Sequence, residues 1–307
     1  MKSIWRPSEL ETVNCEICGT KGCAENVVVR GDGLVVVRCQ RCGLAYLSPR
    51  PKRQFIEKFY DSSYFSGQGS EIKVGYSREY YDTLQASIPQ QLLQILHKFG
   101  LQNISGLEVL EVGCATGLTL SKFHQGGAHV LGIEPVEEAA KTARELFGLR
   151  VINSTFEDVP LECNKFDIII ALEVIEHLLS PKAFLEKCCR VLRPGGLIVI
   201  STPNYKATEL FGSKWRGFHT SFEHLYFFDS HTLSRLAENC GFENPETVYQ
   251  AAVQIPATPP IIRRALMLVP GVMQSARAVK RLWGRFITHK RQAGGVAHRL
   301  WVGLQKR

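Results

Sequence analysis

The sequence predicts a doubly wound α/β domain built on a parallel sheet, preceded by a small cysteine-bearing lobe. Three observations predict it. From residue 90 onward, short β-branched and leucine-rich runs alternate with amphipathic helical stretches, the pattern of βαβ units. The run Leu107–Gly117, LEVLEVGCATG, ends in a glycine-spaced turn where a strand must pass into a helix. Two Cys-x-x-Cys pairs, Cys15/Cys18 and Cys39/Cys42, lie ahead of it.

A chain of 307 residues suits one domain of roughly 200 residues with an appendage. Its 45% hydrophobic and 21% charged residues are those of a globular protein. No apolar run reaches the roughly 18 residues of a membrane span, and the N-terminus has no signal-peptide core, so the expected location is the cytoplasm. Ten cysteines are present, but they are not spaced as a disulfide framework. Outside the two pairs they sit mostly in apolar contexts, where a thiol packs as a small hydrophobe. The net charge of +8 is unevenly placed: nothing after Glu246 is acidic, and that tail carries eleven Lys and Arg. The rest therefore sums to about −3, which points to one localised basic surface and disfavours a nucleic-acid-coating charge.

The first lobe covers residues 1–85. In Cys15-Glu-Ile-Cys18-Gly19 and Cys39-Gln-Arg-Cys42-Gly43, each turn aims two thiolates at one ion, and the glycine frees backbone N–H groups to face sulfur. Four thiolates satisfy tetrahedral zinc and leave no open position, so the site is structural, a zinc ribbon. A redox pair would need only one Cys-x-x-Cys. Val27–Arg30 and Val35–Arg38 read as a hairpin around Gly31-Asp32-Gly33. After the extended exit Leu44–Pro51 comes an aromatic stretch, Phe55, Phe59, Tyr60, Tyr64, Phe65, Tyr76, Tyr80 and Tyr81, suited to packing or to a lid.

The second unit covers residues 86–307. Gln90–Phe99 has helical apolar spacing. Glu108–Val112 is the first strand, and a helix follows from Leu118. The turn between them departs from the dinucleotide fingerprint, since Ala115 and Leu118 occupy its second and third glycine positions. No Gly-Lys-Ser/Thr follows, so it is not a P-loop. Glu111, two residues before Gly113, favours a cationic or hydroxyl-bearing ligand over a polyphosphate. Ala128–Ile133 is the second strand, ending at Glu134. That acid lies 21 residues after Gly113, where a strand-end carboxylate grips ribose hydroxyls in this fold class. Val136–Phe147 (helix), Val151–Asn153 (strand), Asp167–Ala171 (strand), Pro181–Leu192 (helix) and Leu197–Ser201 (strand) continue the alternation. Leu233–Cys240 is a further helix, and Thr247–Val253 and Arg299–Lys306 are closing strands, giving seven. An insertion at about 256–296 holds Val272, Ala276, Val279, Trp283 and Phe286 on one helical face. Arg277, Lys280, Arg281 and Arg285 lie on its flank. Such a helix either covers the sheet with a solvated basic face, lies peripherally on an anionic membrane, or embraces a lipid-linked substrate.

Taken together, LEVLEVGCATG (107–117), GIEP (132–135), FEDVP (156–160), KFDIIIALEVIEHL (165–178), VLRPGGLIVISTPN (191–204) and FEHLYFFDSHTL (222–233) resemble the class I S-adenosylmethionine-dependent methyltransferases. The similarity is to the group that includes ubiquinone-pathway O-methyltransferases and sugar- or antibiotic-tailoring enzymes. It covers about 105–245 and implies their Rossmann-like seven-stranded sheet. The ribbon with LAYLSPRP and FYDSSYF is similar to an N-terminal lobe of sugar C-methyltransferases, although the large extra C-terminal lobe of those enzymes is not expected here. The resemblance implies that Glu111 faces the methionine amino group of S-adenosylmethionine and that Gly113, Ala115 and Gly117 bring backbone against the same end. It further places Glu134 on the ribose, Phe156 and Glu157 on adenine, and Leu172 with Glu173 beside the sulfonium.

For deprotonating an acceptor, Glu173, Glu176 and His177 are spaced to share a face if a helix begins there, and His219, Glu223 and His224 come from the loop after the fifth strand. Glu173, Glu176, His177 and His224 resemble the divalent-metal set of small-RNA 2′-O-methyltransferases and some ubiquinone-pathway enzymes. Three readings stay open: a second metal, His219 or His224 as a metal-free base, and a packing role for His177. Trp215, Phe218 and Tyr226 are expected to line the acceptor pocket. The expected partner is a small-molecule or lipid-linked acceptor methylated on an oxygen of a sugar or ring compound, with carbon or nitrogen as the next targets. An RNA- or protein-methylating enzyme that reads its substrate with the ribbon, and a non-catalytic scaffold, are the alternatives.

Overall fold

The computed structural model describes residues 5–56, 88–219, 223–250 and 299–307. The aromatic stretch beyond Phe55, the 85/86 domain boundary and the basic insertion 256–296 lie outside the described residues.

Short strands β1 (Leu10–Glu11), β2 (Ala24–Val29), β3 (Val35–Cys39), β4 (Ala45–Leu47) and β5 (Arg50–Pro51), followed by the helical turn α1 (Arg53–Ile56), make the first lobe. β2 and β3 form the expected hairpin, and β4 adds antiparallel to β3. The main unit runs α2 (Gln90–Lys98), β6 (Glu108–Val112), α3 (Leu118–Gln125), β7 (His129–Ile133), α4 (Glu137–Phe147), β8 (Val151–Ile152) and β9 (Phe166–Leu172). It continues through α5 (Pro181–Val191), β10 (Leu192–Pro203), α6 (Thr208–Phe211), β11 (Tyr226–Phe227), α7 (Ser230–Asn239), β12 (Phe242–Gln250) and β13 (Arg299–Lys306).

Seven of these strands form one sheet in the order β12-β13-β10-β9-β6-β7-β8. β13 runs antiparallel to both of its neighbours, and the other pairings are parallel. The chain steps outward from β6 to β8 and returns to start β9 on the other side of β6. The switch point therefore lies between the carboxyl ends of β6 and β9, where open α/β sheets bind ligands. Alternate residues feed the two faces. Val109, Ile168, Ile170 and Val199 pack with Leu92, Ile95, Phe123 and Trp301 on one side. Leu110, Ile169, Ile198 and Ile200 join Phe184, Leu233 and the lobe residues Leu44, Tyr46 and Leu47 on the other. The lobe is thus built onto one face of the domain.

Two features differ from expectation. β10 starts at Leu192 rather than at Leu197, because Arg193–Gly196 bulges between the Leu192↔Phe166 and Leu197↔Ile168 pairings instead of ending the chain's extension. Gly195, at φ +77°, supplies the left-handed residue the bulge requires. β11, which the sequence hides in two residues, pairs with β4 and so joins the lobe's sheet, in the order β11-β4-β3-β2.

Candidate active site

The four cysteines converge as expected, with their ligand atoms within 4.8 Å of one another. Cys15 Sγ lies 3.3 Å from Cys42 Sγ, and Cys18 Sγ 3.6 Å from Cys39 Sγ. The two knuckles are built alike: Gly19 donates to the Cys15 carbonyl and Gly43 to the Cys39 carbonyl, both glycines at positive φ. Burial pushes the Cys15 thiol up against backbone N–H groups of Ile17 and Cys18 that favour its thiolate. At Cys18 burial acts the same way, but the Thr20 hydroxyl and N–H outweigh it and bring the thiol down to about 6. Four sulfurs at this spacing, aimed at one centre and fed by N–H groups, fit a tetrahedral zinc ion.

At the switch point, β6 ends in Glu111 and passes through Gly113 (φ +69°), Ala115 (φ +46°) and Gly117 (φ +79°) into α3. Three left-handed residues in five fold the turn back on its own strands: Gly113 and Cys114 N–H donate to the Ile133 carbonyl, Ala115 N–H to Glu134 and Gly117 N–H to the Cys114 carbonyl, so an anion would be met by the N-terminus of α3 rather than by these groups. A Cβ on Gly117 would lie 2.6 Å from Leu149 Cδ1 and 2.8 Å from Ala143 Cβ, so only glycine lets α4 pack behind the turn. Glu134 is buried at the end of β7 and accepts from Ala115 N–H and Val136 N–H, each at 2.9 Å. It therefore pins the turn from the neighbouring strand. Burial raises its pKa, and the two N–H donors partly offset this.

Glu111 is 3% exposed, and its Oε2 has no hydrogen-bond partner among the described residues. Burial, against a backbone N–H bond from Leu120 and with the charge of Glu134 adding a smaller push, raises its carboxyl to about 8. A buried carboxylate beside a second one calls for a cationic partner. An ammonium at Glu111 and hydroxyls at Glu134 are what S-adenosylmethionine presents, so these residues fit it. Phe156 is buried edge-on against Phe184, ring centroids 5.3 Å apart, with Lys187 Nζ 4.7 Å over its face. Its ring belongs to the interior, and of the expected adenine pair only Glu157 is exposed. Leu172 closes β9 beside the same turn, and Val174 Cγ2 would sit 2.7 Å from a Cβ on Gly113.

A second group of donors stands beyond the carboxyl end of β9. Glu176, His177 and His224 bring one ligand atom each within 4.8 Å of one another. The imidazoles of His177 and His224 meet edge to face at 4.6 Å. Neither Glu176 oxygen has a hydrogen-bond partner of normal geometry among the described residues, and His224 Nδ1 has none either. Burial raises the Glu176 carboxyl well above its usual range, with Glu173 adding to the shift. Burial pushes His177 down to about 4 against a bond to the Glu223 backbone. Burial also lowers His224 well below its usual value, with the charges of His177 and Arg30 adding to the effect. Both imidazoles are therefore neutral at pH 7, the form that binds metal. One carboxyl group and two neutral imidazoles, brought together with both Glu176 oxygens and His224 Nδ1 unmatched among the described residues, fit a divalent cation.

The expected four-residue set is corrected to three. Residues 173–177 do not form an α-helix: Glu173 is left-handed at φ +55°, and Ile175–His177 is one 3-10 turn, so the i, i+3, i+4 face is never built. Instead Glu173 accepts from Ser201 Oγ at 2.9 Å and pairs with Arg299 at 3.1 Å. His219 is also set apart from this group. It is exposed, and its Nε2 lies 2.7 Å from the Ser213 carbonyl. Trp215, Phe218 and Tyr226 are at most 1% exposed and pack inside rather than lining an open wall. Trp215 and Phe218 meet at 5.0 Å, and Tyr226 is a strand residue of the lobe's sheet. Arg299 and Ser201 had no local signature, because they reach Glu173 only through the register of β9, β10 and β13.

Comparison with known proteins agrees with this geometry. A family model described as a methyltransferase domain matches residues 84–247. The ubiquinone biosynthesis O-methyltransferase of Bradyrhizobium sp. (strain ORS 278) is 41% identical over 110 residues, 34% of this chain and 43% of that protein. The mitochondrial ubiquinone biosynthesis O-methyltransferase of Homo sapiens is 34% identical over 144 residues, 44% of this chain and 36% of that protein. The matched segments span about two-fifths of these relatives' own lengths. Phosphoethanolamine N-methyltransferase 2 of Haemonchus contortus, solved with S-adenosyl-L-methionine, superposes with a TM-score of 0.51 at 15% identity, covering 85% of this chain and 62% of that one. At that identity the likeness shows the fold alone.

Proposed function

Because the chain belongs to the methyltransferase-domain family, we propose that it transfers a methyl group from S-adenosylmethionine to a hydroxyl oxygen of a small ring compound of quinone type. The observation that carries the donor is the buried Glu111, with an unmatched oxygen, facing a left-handed turn that Glu134 pins from the next strand. The acceptor rests on the O-methyltransferase relatives.

When bound, S-adenosylmethionine supplies an electrophilic methyl on a sulfonium. What it asks of the protein is alignment of a nucleophile in a dry site. In this reading Glu111 accepts from the methionine ammonium, the Gly113–Gly117 backbone approaches the same end of the ligand, and Glu134 keeps its remaining lone pairs for the ribose. Glu157 stands on the adenine side. Glu176, His177 and His224 would hold a divalent cation, which lowers the pKa of an oxygen acid. A second reading needs no cation. His224 is bonded to the Gly217 backbone, leaving Nδ1 of a neutral imidazole to take the acceptor proton. A sugar hydroxyl is the rival acceptor. An RNA acceptor is disfavoured by the few and mixed charges between the knuckles. Peripheral contact with an anionic membrane is supported by the charge pattern of 256–296 alone. Among the described residues, no helix is long and apolar enough to cross a membrane.

The test is transfer of labelled methyl to a dihydroxybenzene carrying a short isoprenoid tail, with the ribbon's zinc content monitored. His224→Ala is expected to lower kcat by roughly 100-fold or more. Loss of activity to a chelator that leaves one zinc per chain favours the cation, and full activity favours the free imidazole. Transfer at the wild-type rate by His224→Ala would remove both readings.

A further inference from the structure

The lobe does more than sit against the domain. Every element that carries the Glu176–His177–His224 group is held by a lobe side chain or strand. Arg30, fully buried at the end of the β2 hairpin arm, donates from Nη1 to the His224 carbonyl at 2.8 Å, across 194 residues of sequence. Its other nitrogens are fixed by Asp32, with Nε 3.2 Å from Oδ1 and Nη2 paired to Oδ2. Asp32 in turn accepts from Leu34 N–H at 3.2 Å, so the hairpin turn itself sets the guanidinium plane.

Arg50, also buried, donates to the Leu179 carbonyl at 2.7 Å and to Tyr226 Oη at 3.0 Å. It thus ties the loop just after His177 to the strand just after His224. Glu16, inside the first zinc knuckle, accepts from Ser180 Oγ at 2.8 Å and Lys182 N–H at 3.0 Å, at the start of α5. Main-chain bonds complete the frame: Leu47 N–H donates to the Leu225 carbonyl, and Leu225 N–H to the Glu176 carbonyl.

We infer that the zinc lobe is a positioning device for the acceptor-side site, with Arg30 and Arg50 as positioning residues that fix the His224 strand and the His177 loop. The inference rests on reading Glu176, His177 and His224 as that site. The chemistry suits the task. A buried arginine offers several donors in a rigid plane, and with its charge met by one carboxylate it holds a carbonyl at a fixed distance and angle. Neither arginine is placed at the cofactor turn, so loss of the clasp separates the acceptor side from donor binding.

The experiment uses the full chain. Arg30→Met is combined with Asp32→Asn so that no buried carboxylate loses its partner, and Arg50→Met is a second, independent variant. Zinc content, S-adenosylmethionine affinity by calorimetry, Mn²⁺ affinity by electron paramagnetic resonance, and amide exchange over 223–227 are measured. The expected result is one zinc per chain and unchanged cofactor affinity, with Mn²⁺ bound at least tenfold more weakly and exchange over 223–227 at least tenfold faster. Arg30→Lys, which keeps a donor for the His224 carbonyl, should recover part of both losses. Mn²⁺ affinity and exchange equal to wild type in both the double variant and Arg50→Met would overturn the inference. If His224→Ala binds Mn²⁺ as the wild type does, the cation reading fails on its own and exchange decides: tenfold faster upholds the clasp, and unchanged exchange overturns it.

Discussion

Binding of S-adenosylmethionine should expel a proton from Glu111, and the number released measures how the cofactor is held. Burial and the neighbouring Glu134 charge raise the Glu111 carboxyl to about 8 in the ligand-free protein. At pH 6.5 it is therefore almost fully protonated, while the methionine amino group of the ligand is still an ammonium. Placing that ammonium against the carboxyl favours the ionised form and draws the pKa back toward its ordinary value. Close to one proton should then leave on binding.

Calorimetry in buffers of different ionisation enthalpy reads this number as a slope. The same shift acts on stability. Between about pH 4.5 and 8 the folded ligand-free protein keeps a proton that the unfolded chain has released. Stability therefore falls as pH rises through that window, by about 1.4 kcal/mol per unit and roughly 5 kcal/mol in all. Glu111→Gln should abolish the proton release, flatten this slope so that the ligand-free variant is more stable than wild type at pH 8, and weaken cofactor binding by roughly tenfold to a hundredfold. A proton number near zero for the wild type, or an equal number for Glu111→Gln, would refute the placement of the ammonium.

Other expectations follow from single contacts. Gly117→Ala places a Cβ 2.6 Å from Leu149 Cδ1 in a left-handed residue, and should cost about 2–4 kcal/mol by urea unfolding as well as cofactor affinity. Cys39→Ala should release the zinc and loosen the lobe, and a purified variant with full metal content would contradict the four-thiolate site. His177, held near 4 by burial, contributes stability that is present above its unfolded value of about 6.5 and is lost as pH falls toward 4. Between pH 7 and pH 4 the melting temperature of wild type should fall relative to that of His177→Gln, because only the His177 contribution is removed while those of Glu111 and His224 stay in both. Deleting 260–290 should reduce binding to anionic liposomes if the basic face meets a membrane, and equal binding would end that reading.

Much of the donor side was legible because its signals are local. Glu108–Val112 and Arg299–Lys306 fall where period and composition placed them, and the turn announces itself through Gly113 and Gly117. The acceptor side was legible only in part, because it is assembled over distance. Glu176 and His177 meet His224 through β11, a two-residue strand whose partner is in the lobe rather than in the domain's own sheet. Glu173 left the expected set for a backbone reason, its left-handed φ, and a long-range one, the arrival of Arg299 on the last strand. Trp215 and Phe218 looked like pocket walls because aromatic residues in a loop resemble them, but mutual packing buries them. Spacing reports a helix face only where a helix forms, and at 173–177 a 3-10 turn took its place.

Methyl transfer from S-adenosylmethionine to a ring hydroxyl is tested most directly by following the methyl carbon. Purified protein, methyl-¹³C-labelled S-adenosylmethionine and a dihydroxybenzene acceptor are incubated together, and the product is read by NMR. The expected product carries a labelled methyl on a ring oxygen, formed by the wild type and lost in both Glu111→Gln at limiting cofactor and His224→Ala. Label on a ring carbon, or cofactor binding with no transfer to any hydroxyl-bearing ring, would contradict it.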